Sequence, residues 1–140
     1  MKNIKFYLLL VIILSSCAGS GLKDYDDYIS SNNMSLDNKV VIYRQSGFVG
    51  GGTIFTIVLN GSVIGKIGNQ EFVVGEMQEG RNYINVKVDG LQGVGLNQPK
   101  ETFTKTTNKN LYFKVGYTGL DAQIFIQEIS AEEFKKFTSN

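Results

Sequence analysis

The sequence predicts an all-β domain, a single antiparallel β-sandwich or small open barrel of about 7–8 strands with a short C-terminal helix. From Lys39 onward, short runs rich in Val, Ile, Phe, Tyr and Thr are separated by Gly and Asn turn signals. Asn60-Gly61 joins two of these runs, and this dipeptide favours a hairpin because a type I′ turn needs positive φ at both central residues. Residues 83–89 alternate between apolar and other side chains, as in a strand with one buried face.

Each predicted strand is bounded by residues that favour turns. The Gly-rich segment 47–52 ends the first strand, Asn60-Gly61 joins the second to the third, and Gly68-Asn69 and Glu79-Gly80 open the fourth and fifth. A loose Gly-containing stretch with the only proline, Pro99, precedes the last three. The predicted strands are residues 40–44, 53–59, 62–67, 71–76, 83–89, 102–104, 111–115 and 123–129.

The chain ends in a segment that predicts a helix over 130–137. Ser130 is followed three residues later by Glu133, which is the spacing of a capping box. Lys135 and Lys136 suit the C-terminal end of a helix, where the macrodipole favours positive charge.

The N-terminus resembles a bacterial lipoprotein signal. Lys2 and Lys5 precede an apolar run, residues 6–14, which is shorter than the ~20 apolar residues that a membrane-spanning helix needs. The segment then closes on Leu14-Ser15-Ser16-Cys17. We expect cleavage before Cys17 and acylation of that residue. An ordinary signal peptide with a leftover thiol and an uncleaved membrane anchor are the alternatives.

These features divide the chain into three parts. Residues 1–16 are the predicted signal peptide, 17–38 a lipidated N-terminus and polar linker, and 39–140 the β-sandwich domain with its C-terminal helix. Within the linker, Tyr25, Tyr28 and Ile29 have helical spacing, which is compatible with a short helix packed on the domain.

Composition excludes several kinds of chemistry. The sequence has no histidine and one cysteine, which excludes Ser-His-Asp and Cys-His catalysis, His-ligated zinc and an internal disulfide. Without Lys2 and Lys5, 12 basic and 13 acidic residues remain, so the mature side chains sum to −1. This balance argues against nucleic acid and against electrostatic adhesion to a membrane. We expect no metal and no cofactor.

Four groups of residues invite a functional interpretation. The glycines of 47–52 lack the Gly-Lys-Ser/Thr ending of a phosphate loop, so a loop between strands is the better interpretation. Asp24, Asp26 and Asp27 lack the regular spacing and sharp glycine turn of a calcium loop. A further group of carboxylates lies near predicted turns or strand ends, and any two of them could form a glycosidase-like pair: Glu71, Glu76, Glu79, Glu101 and Asp121. Tyr43, Tyr83 and Tyr112 suit either cross-strand packing or a stacking platform for sugar.

The order of motifs resembles a family of small bacterial lipoproteins, the domain-of-unknown-function family DUF twenty-eight forty-six, whose β-domain is similar in style to PEGA-type surface domains. The resemblance spans roughly residues 39–137. Its motifs include Ile42-Tyr43-Arg44, Gly47-Phe48-Val49-Gly50, Asn60-Gly61, Tyr112-Phe113-Lys114-Val115 and residues 126–133. Where that family has a Pro-Gly turn with a nearby His, this chain reads Glu79-Gly80-Arg81-Asn82. The resemblance implies fold and location only.

We therefore expect a lipid-anchored envelope protein without a catalytic site. Ala18 after the cysteine resembles the pattern that directs lipoproteins to the periplasmic face of the outer membrane. The leading hypothesis is a binding or scaffold module for a protein or cell-wall partner. The alternatives are a carboxylate-dependent glycan hydrolase and an envelope inhibitor or immunity protein. The predicted binding surface consists of Tyr43, Arg44, Gly47, Phe48, Gly50 and Arg81.

Overall fold

The computed structural model describes residues 21–32, 37–47, 52–89, 100–105, 109–119 and 122–138. Within these ranges the chain forms eight strands with one helix before them and one after them, so the predicted all-β class with a C-terminal helix is confirmed. In chain order the elements are α1 (Tyr25–Asn32), β1 (Lys39–Arg44), β2 (Ile54–Leu59), β3 (Ser62–Ile67), β4 (Phe72–Glu76), β5 (Arg81–Asp89), β6 (Lys100–Lys105), β7 (Leu111–Thr118), β8 (Gln123–Ile129) and α2 (Ala131–Thr138).

The strands form two four-stranded sheets. The first sheet has the order β4-β1-β7-β8 and the second the order β3-β2-β5-β6. All neighbouring strands are antiparallel except β1 and β7, which run parallel with Val40 opposite Leu111. The predicted sandwich is confirmed, with one parallel pair inside a fold expected to be wholly antiparallel. Local patterns could not reveal this pair because its strands are far apart in sequence.

The main core lies between the two sheets. Alternate residues of each strand point inward because successive side chains of a strand face opposite sides. Phe55 and Ile57 of β2 and Ile84 and Val86 of β5 face the first sheet and are fully buried. The first sheet contributes Val40, Ile42, Val73, Phe113, Val115 and Ile124.

The β2–β3 hairpin has the predicted turn. Asn60 and Gly61 have φ angles of 51° and 83°, the positive values that a type I′ turn requires. The Asn60 side chain also accepts a 2.8 Å hydrogen bond from the backbone N–H of Tyr83, which joins the turn to β5. The hairpin prediction is therefore confirmed.

Replacing Gly61 with valine is expected to lower the free energy of unfolding by about 1–2 kcal/mol, because a side chain is strained at positive φ. A Cβ at Gly61 would meet no atom within 4 Å, so the cost is conformational rather than steric. Gly52 supplies a matched control, since its Cβ would also meet nothing but its φ is ordinary. Urea unfolding should show a lower midpoint for Gly61→Val than for Gly52→Val. Equal midpoints would contradict the turn assignment.

Both helices pack on the outer face of the first sheet. There Tyr25, Phe72 and Phe134 form a second buried cluster with Val41 and Tyr43 of β1. The strand β1 is consequently covered on both faces, by the main core on one side and by the helices on the other. The Tyr25 hydroxyl lies 3.2 Å from the Tyr112 hydroxyl, and burial raises the pKa of Tyr25.

Packed structure begins upstream of the predicted domain boundary at Lys39. Leu22 and Phe72 exchange two backbone hydrogen bonds of 2.8 Å, so the chain is already joined to the edge of β4 there. Asp24 then caps α1 by accepting a 2.9 Å hydrogen bond from the N–H of Asp27. The helix suggested by the spacing of Tyr25 and its neighbours is present and packed, and residues 21–32 belong with the folded unit rather than with a linker.

The C-terminal helix α2 begins as predicted. The Ser130 hydroxyl accepts a 3.1 Å hydrogen bond from the N–H of Glu133, which is one half of a capping box. Glu133 also pairs with Lys114 of β7 at 3.0 Å, so the first turn of the helix is joined to the sheet below it. Phe134, fully buried, then faces the first sheet.

Candidate functional site

A cleft lies at the carboxyl ends of the parallel strands β1 and β7. Parallel neighbours bring their carboxyl ends to the same edge, and here the segments that leave both strands line a cavity of about 260 Å³. Its volume is near the lower limit for small-molecule sites, so it would accept a small group rather than a large ligand. The cleft is defined by Arg44, Gln45, Gly47, Gly116, Tyr117 and Phe125.

Arg44 forms the inner wall of this cleft. Its side chain is 2% exposed, and Nη1 donates hydrogen bonds to the carbonyl oxygens of Thr53 and Ile67, the latter at 3.5 Å. The guanidinium also lies 4.4 Å from the ring centroid of Phe55, in cation–π geometry. Burial lowers the pKa of the Arg44 guanidinium, and Tyr117 and Glu71 partly offset this. Arg44 therefore joins the two sheets at this end of the sandwich.

Gly116 shapes the opposite wall of the cleft. It is paired across the strands with Phe125, and a Cβ at Gly116 would lie 2.9 Å from the Phe125 ring. The absence of a side chain lets the aromatic ring lie over the backbone of β7. An L-residue larger than glycine at this position would displace Phe125 and alter the cleft.

The same end of the sandwich holds a buried carboxylate, that of Glu71. Its Oε2 atom accepts hydrogen bonds from the N–H of Gly68 at 2.7 Å and of Gly21 at 3.2 Å. Its backbone carbonyl accepts from the N–H of Arg44 at 2.9 Å. Glu71 therefore holds the first described residue of the chain next to the cleft.

The predicted binding surface is divided by the fold. Arg44 and Gly47 lie together in the cleft, but Tyr43 is 2% exposed and stacks on Phe137 at 5.3 Å beneath α2. The expectation that Tyr43 and Arg44 present side chains to a partner is therefore wrong, because β1 is buried on both faces. Arg81 is exposed on β5 at the other end of the sandwich. Phe48, Gly50 and Cys17 lie outside the described residues.

A second surface, which the sequence interpretation missed as a unit, is the outer face of the second sheet. Along β5, Arg81, Tyr83 and Lys87 point away from the core because they alternate with Ile84 and Val86. The strand register adds Lys66, opposite Thr56 of β2, and Lys105, opposite Arg81. We call this surface the basic face; it comprises Lys66, Arg81, Tyr83, Lys87 and Lys105.

The basic face also exposes apolar surface. Tyr83 is 44% exposed and Val63 of β3 is 62% exposed, whereas Tyr43 and Tyr112 lie under the helices. Among the described side chains of this face, the only carboxylate is that of Glu101, which accepts a 3.3 Å hydrogen bond from Asn85. The alternation of 83–87 was visible in the sequence, but the contributions of β3 and β6 depend on strand order.

Three of the described acidic residues have local structural partners. Glu76 forms a 3.3 Å ion pair with Lys39, Glu71 holds backbone N–H groups, and Asp24 caps α1. Asp121 lies outside the described residues. The described part of the chain holds no group of three or more His, Cys, Asp or Glu side chains placed to bind a metal ion. No helix among the described residues is long and apolar enough to cross a membrane.

Two comparisons of the sequence with known proteins found no match. No protein-family model matches the chain. No curated protein is significantly similar to it. The resemblance of its motif order to the lipoprotein family DUF twenty-eight forty-six therefore stays a prediction.

Proposed function

We propose that this protein is a lipid-anchored, non-catalytic binding module of the cell envelope, held at the periplasmic face of the outer membrane by acylated Cys17. The observation that carries the binding role is the difference between the two sheets. The first sheet is covered on its outer face by two helices, whereas the described outer face of the second sheet exposes cations around Tyr83.

The charge of the basic face favours an anionic partner. The mature side chains sum to −1, yet this face carries four cationic side chains and one described carboxylate. Such an asymmetry concentrates positive potential on one surface and speeds encounters with negatively charged partners. Tyr83, between Arg81 and Lys87 along β5, adds a flat apolar ring that can stack on a sugar or pack on a peptide.

The size of the basic face favours a polymer strand over a globular protein. Lys87 follows Arg81 by six positions, a distance of about 20 Å along β5. Four strands spaced by about 4.8 Å make the face about as wide, so its area is of the order of 400 Å². A standard protein interface covers about 800 Å² on each partner. We therefore take a carboxylate-bearing cell-wall polymer as the leading partner.

The lipid anchor is tested by replacing Cys17 with serine in the producing cell. The wild-type protein should enter the detergent phase on phase separation and carry a fatty acyl label, and Cys17→Ser should lose both properties. Far-UV circular dichroism of the two purified proteins serves as the folding control. A variant that still partitions with membranes would overturn the anchor.

The binding role is tested by removing two charges from the basic face. Lys87→Ser combined with Lys105→Ser should weaken co-sedimentation with purified cell wall at least tenfold, because each exposed cation contributes attraction that salt can screen. Lys135→Ser with Lys136→Ser removes the same charge from exposed positions on α2 and is the matched control. An equal loss in both variants would contradict a localised site. If the wild-type protein does not bind cell wall but cross-links from position 83 to one acidic protein, the partner is that protein instead.

A further inference from the structure

We propose that the end of the sandwich that carries the cleft faces the lipid headgroups of the bilayer. The strands of the basic face then run away from the membrane surface, and this face is open to the cell wall. This inference rests on the proposed acylation of Cys17. It concerns where the folded domain sits once that anchor is in place.

The first step is that the chain is held firmly where the described structure begins. Gly21 donates a hydrogen bond to the buried carboxylate of Glu71, and Leu22 exchanges two backbone hydrogen bonds with Phe72. A Cβ at Gly21 would lie within 2.9 Å of atoms of Glu71 and Ile67, so the backbone approaches the sandwich more closely than other residues allow. The N-terminal attachment point is therefore part of the folded domain.

The second step is that this attachment point lies at the cleft. The carbonyl oxygen of Glu71 accepts the backbone N–H of Arg44, and Arg44 lines the cleft. The side chain of Asn69, in the turn before Glu71, lies 3.5 Å from the hydroxyl of Ser46. The attachment of Gly21, the 68–71 turn and the cleft are therefore one continuous end of the molecule.

The third step compares two lengths. Gly21 follows Cys17 by four residues, which can span at most about 14 Å. Strands of six residues, such as β2 and β3, measure about 20 Å from end to end. If the opposite end of the sandwich met the bilayer, Gly21 would stand farther from the surface than its connection to Cys17 can reach. This comparison disfavours an inverted domain for an acylated Cys17.

The chemistry of the cleft end suits a headgroup layer. Its exposed side chains include Gln45, Ser46 and Gln70, which are polar and uncharged and can exchange hydrogen bonds with headgroups and water. The basic side chains instead run along the second sheet, from Lys66 and Lys87 near the cleft end to Arg81 and Lys105 at the other. With the cleft end down, only one edge of the basic face is near the membrane.

The orientation is tested with single-cysteine labels at the two ends. In the acylated protein the Cys17 sulfur is consumed as a thioether, so a cysteine introduced by Ser46→Cys or by Glu79→Cys is the only thiol available to a fluorophore. Glu79 lies beyond β4 at the end opposite the cleft and is exposed. Each labelled protein is reconstituted into vesicles that contain lipids with nitroxide-labelled headgroups.

We expect quenching at position 46 to exceed quenching at position 79 several-fold. A spacer of about a dozen Gly/Ser residues inserted after Ala18 should reduce that difference, since a flexible chain of this length no longer restricts the domain. Equal quenching without the spacer would overturn the proposal and indicate a domain lying on its side. Stronger quenching at position 79 would also overturn it. Protein that fails to float with the vesicles would refute the lipid anchor itself, which flotation of the unlabelled wild-type protein reports separately.

Discussion

Replacing Phe134 with alanine is expected to lower the free energy of unfolding by about 3–5 kcal/mol, which is a large part of the stability of a domain of this size. The Phe134 ring is fully buried between the first sheet and α1. Its centroid lies 4.7 Å from that of Tyr25 and 5.0 Å from that of Tyr112. Truncation removes these contacts together and leaves a cavity that neither helix can fill alone.

The loss should be measured by urea unfolding followed by circular dichroism and by tyrosine fluorescence, since the chain has no tryptophan. Lys136→Ala, two residues further along the same helix and exposed, is the control and should change stability by less than about 0.5 kcal/mol. We expect the free energy of unfolding to fall by about 3–5 kcal/mol. If Phe134→Ala instead lowers it by less than about 1 kcal/mol, the helices contribute little packing energy.

The same aromatic cluster shows which parts of the fold a sequence can reveal. Ser130 with Glu133 predicted the start of α2, and Asn60-Gly61 predicted a hairpin, because both signals act between residues a few positions apart. The helical spacing of Tyr25 and its neighbours also predicted α1. What these local signals could not show is that both helices lie on one face of one sheet.

Burial of Tyr43 and Arg44 was not predictable for that reason. A strand of five consecutive apolar or amphipathic residues is compatible with burial on one face or on both. The choice depends on β1 lying between β4 and β7, with helices from the two ends of the chain above it. The local sequence favours placing an arginine at a strand end on the surface. Arg44 is buried because the second sheet packs over it.

The basic face could not be predicted from local sequence either, because it also depends on which strands are adjacent. Lys66, Lys87 and Lys105 are far apart in sequence, and no run of basic residues joins them. They share one face because β3, β2, β5 and β6 are adjacent in that order and each strand alternates. Net charge near zero is therefore compatible with a strongly basic surface, and composition argues only against basic character spread over the whole molecule.

Replacing Arg44 with methionine is expected to destabilise the protein by about 2–4 kcal/mol, because two buried carbonyl oxygens lose a donor and each such loss costs about 1–3 kcal/mol. Methionine keeps the length of the aliphatic stem, so most of the packing on Phe55 remains. Removing the charge relieves some desolvation, which the lowered pKa of Arg44 indicates, and this offsets part of the loss. The carbonyls of Thr53 and Ile67 nonetheless stay buried without that partner.

Arg44→Lys separates the role of charge from the role of geometry. Lysine keeps the positive charge but presents one ammonium instead of a planar fork that can lie on Phe55 while donating to the Thr53 carbonyl. If the fork matters, the lysine variant should fall between methionine and wild type in urea unfolding. Its second readout is hydrogen exchange at the Arg44 end of β1, where opening should become faster than at Lys39. A methionine variant as stable as the wild type would show that the guanidinium is not needed to join the sheets, and would leave the cleft as its only role.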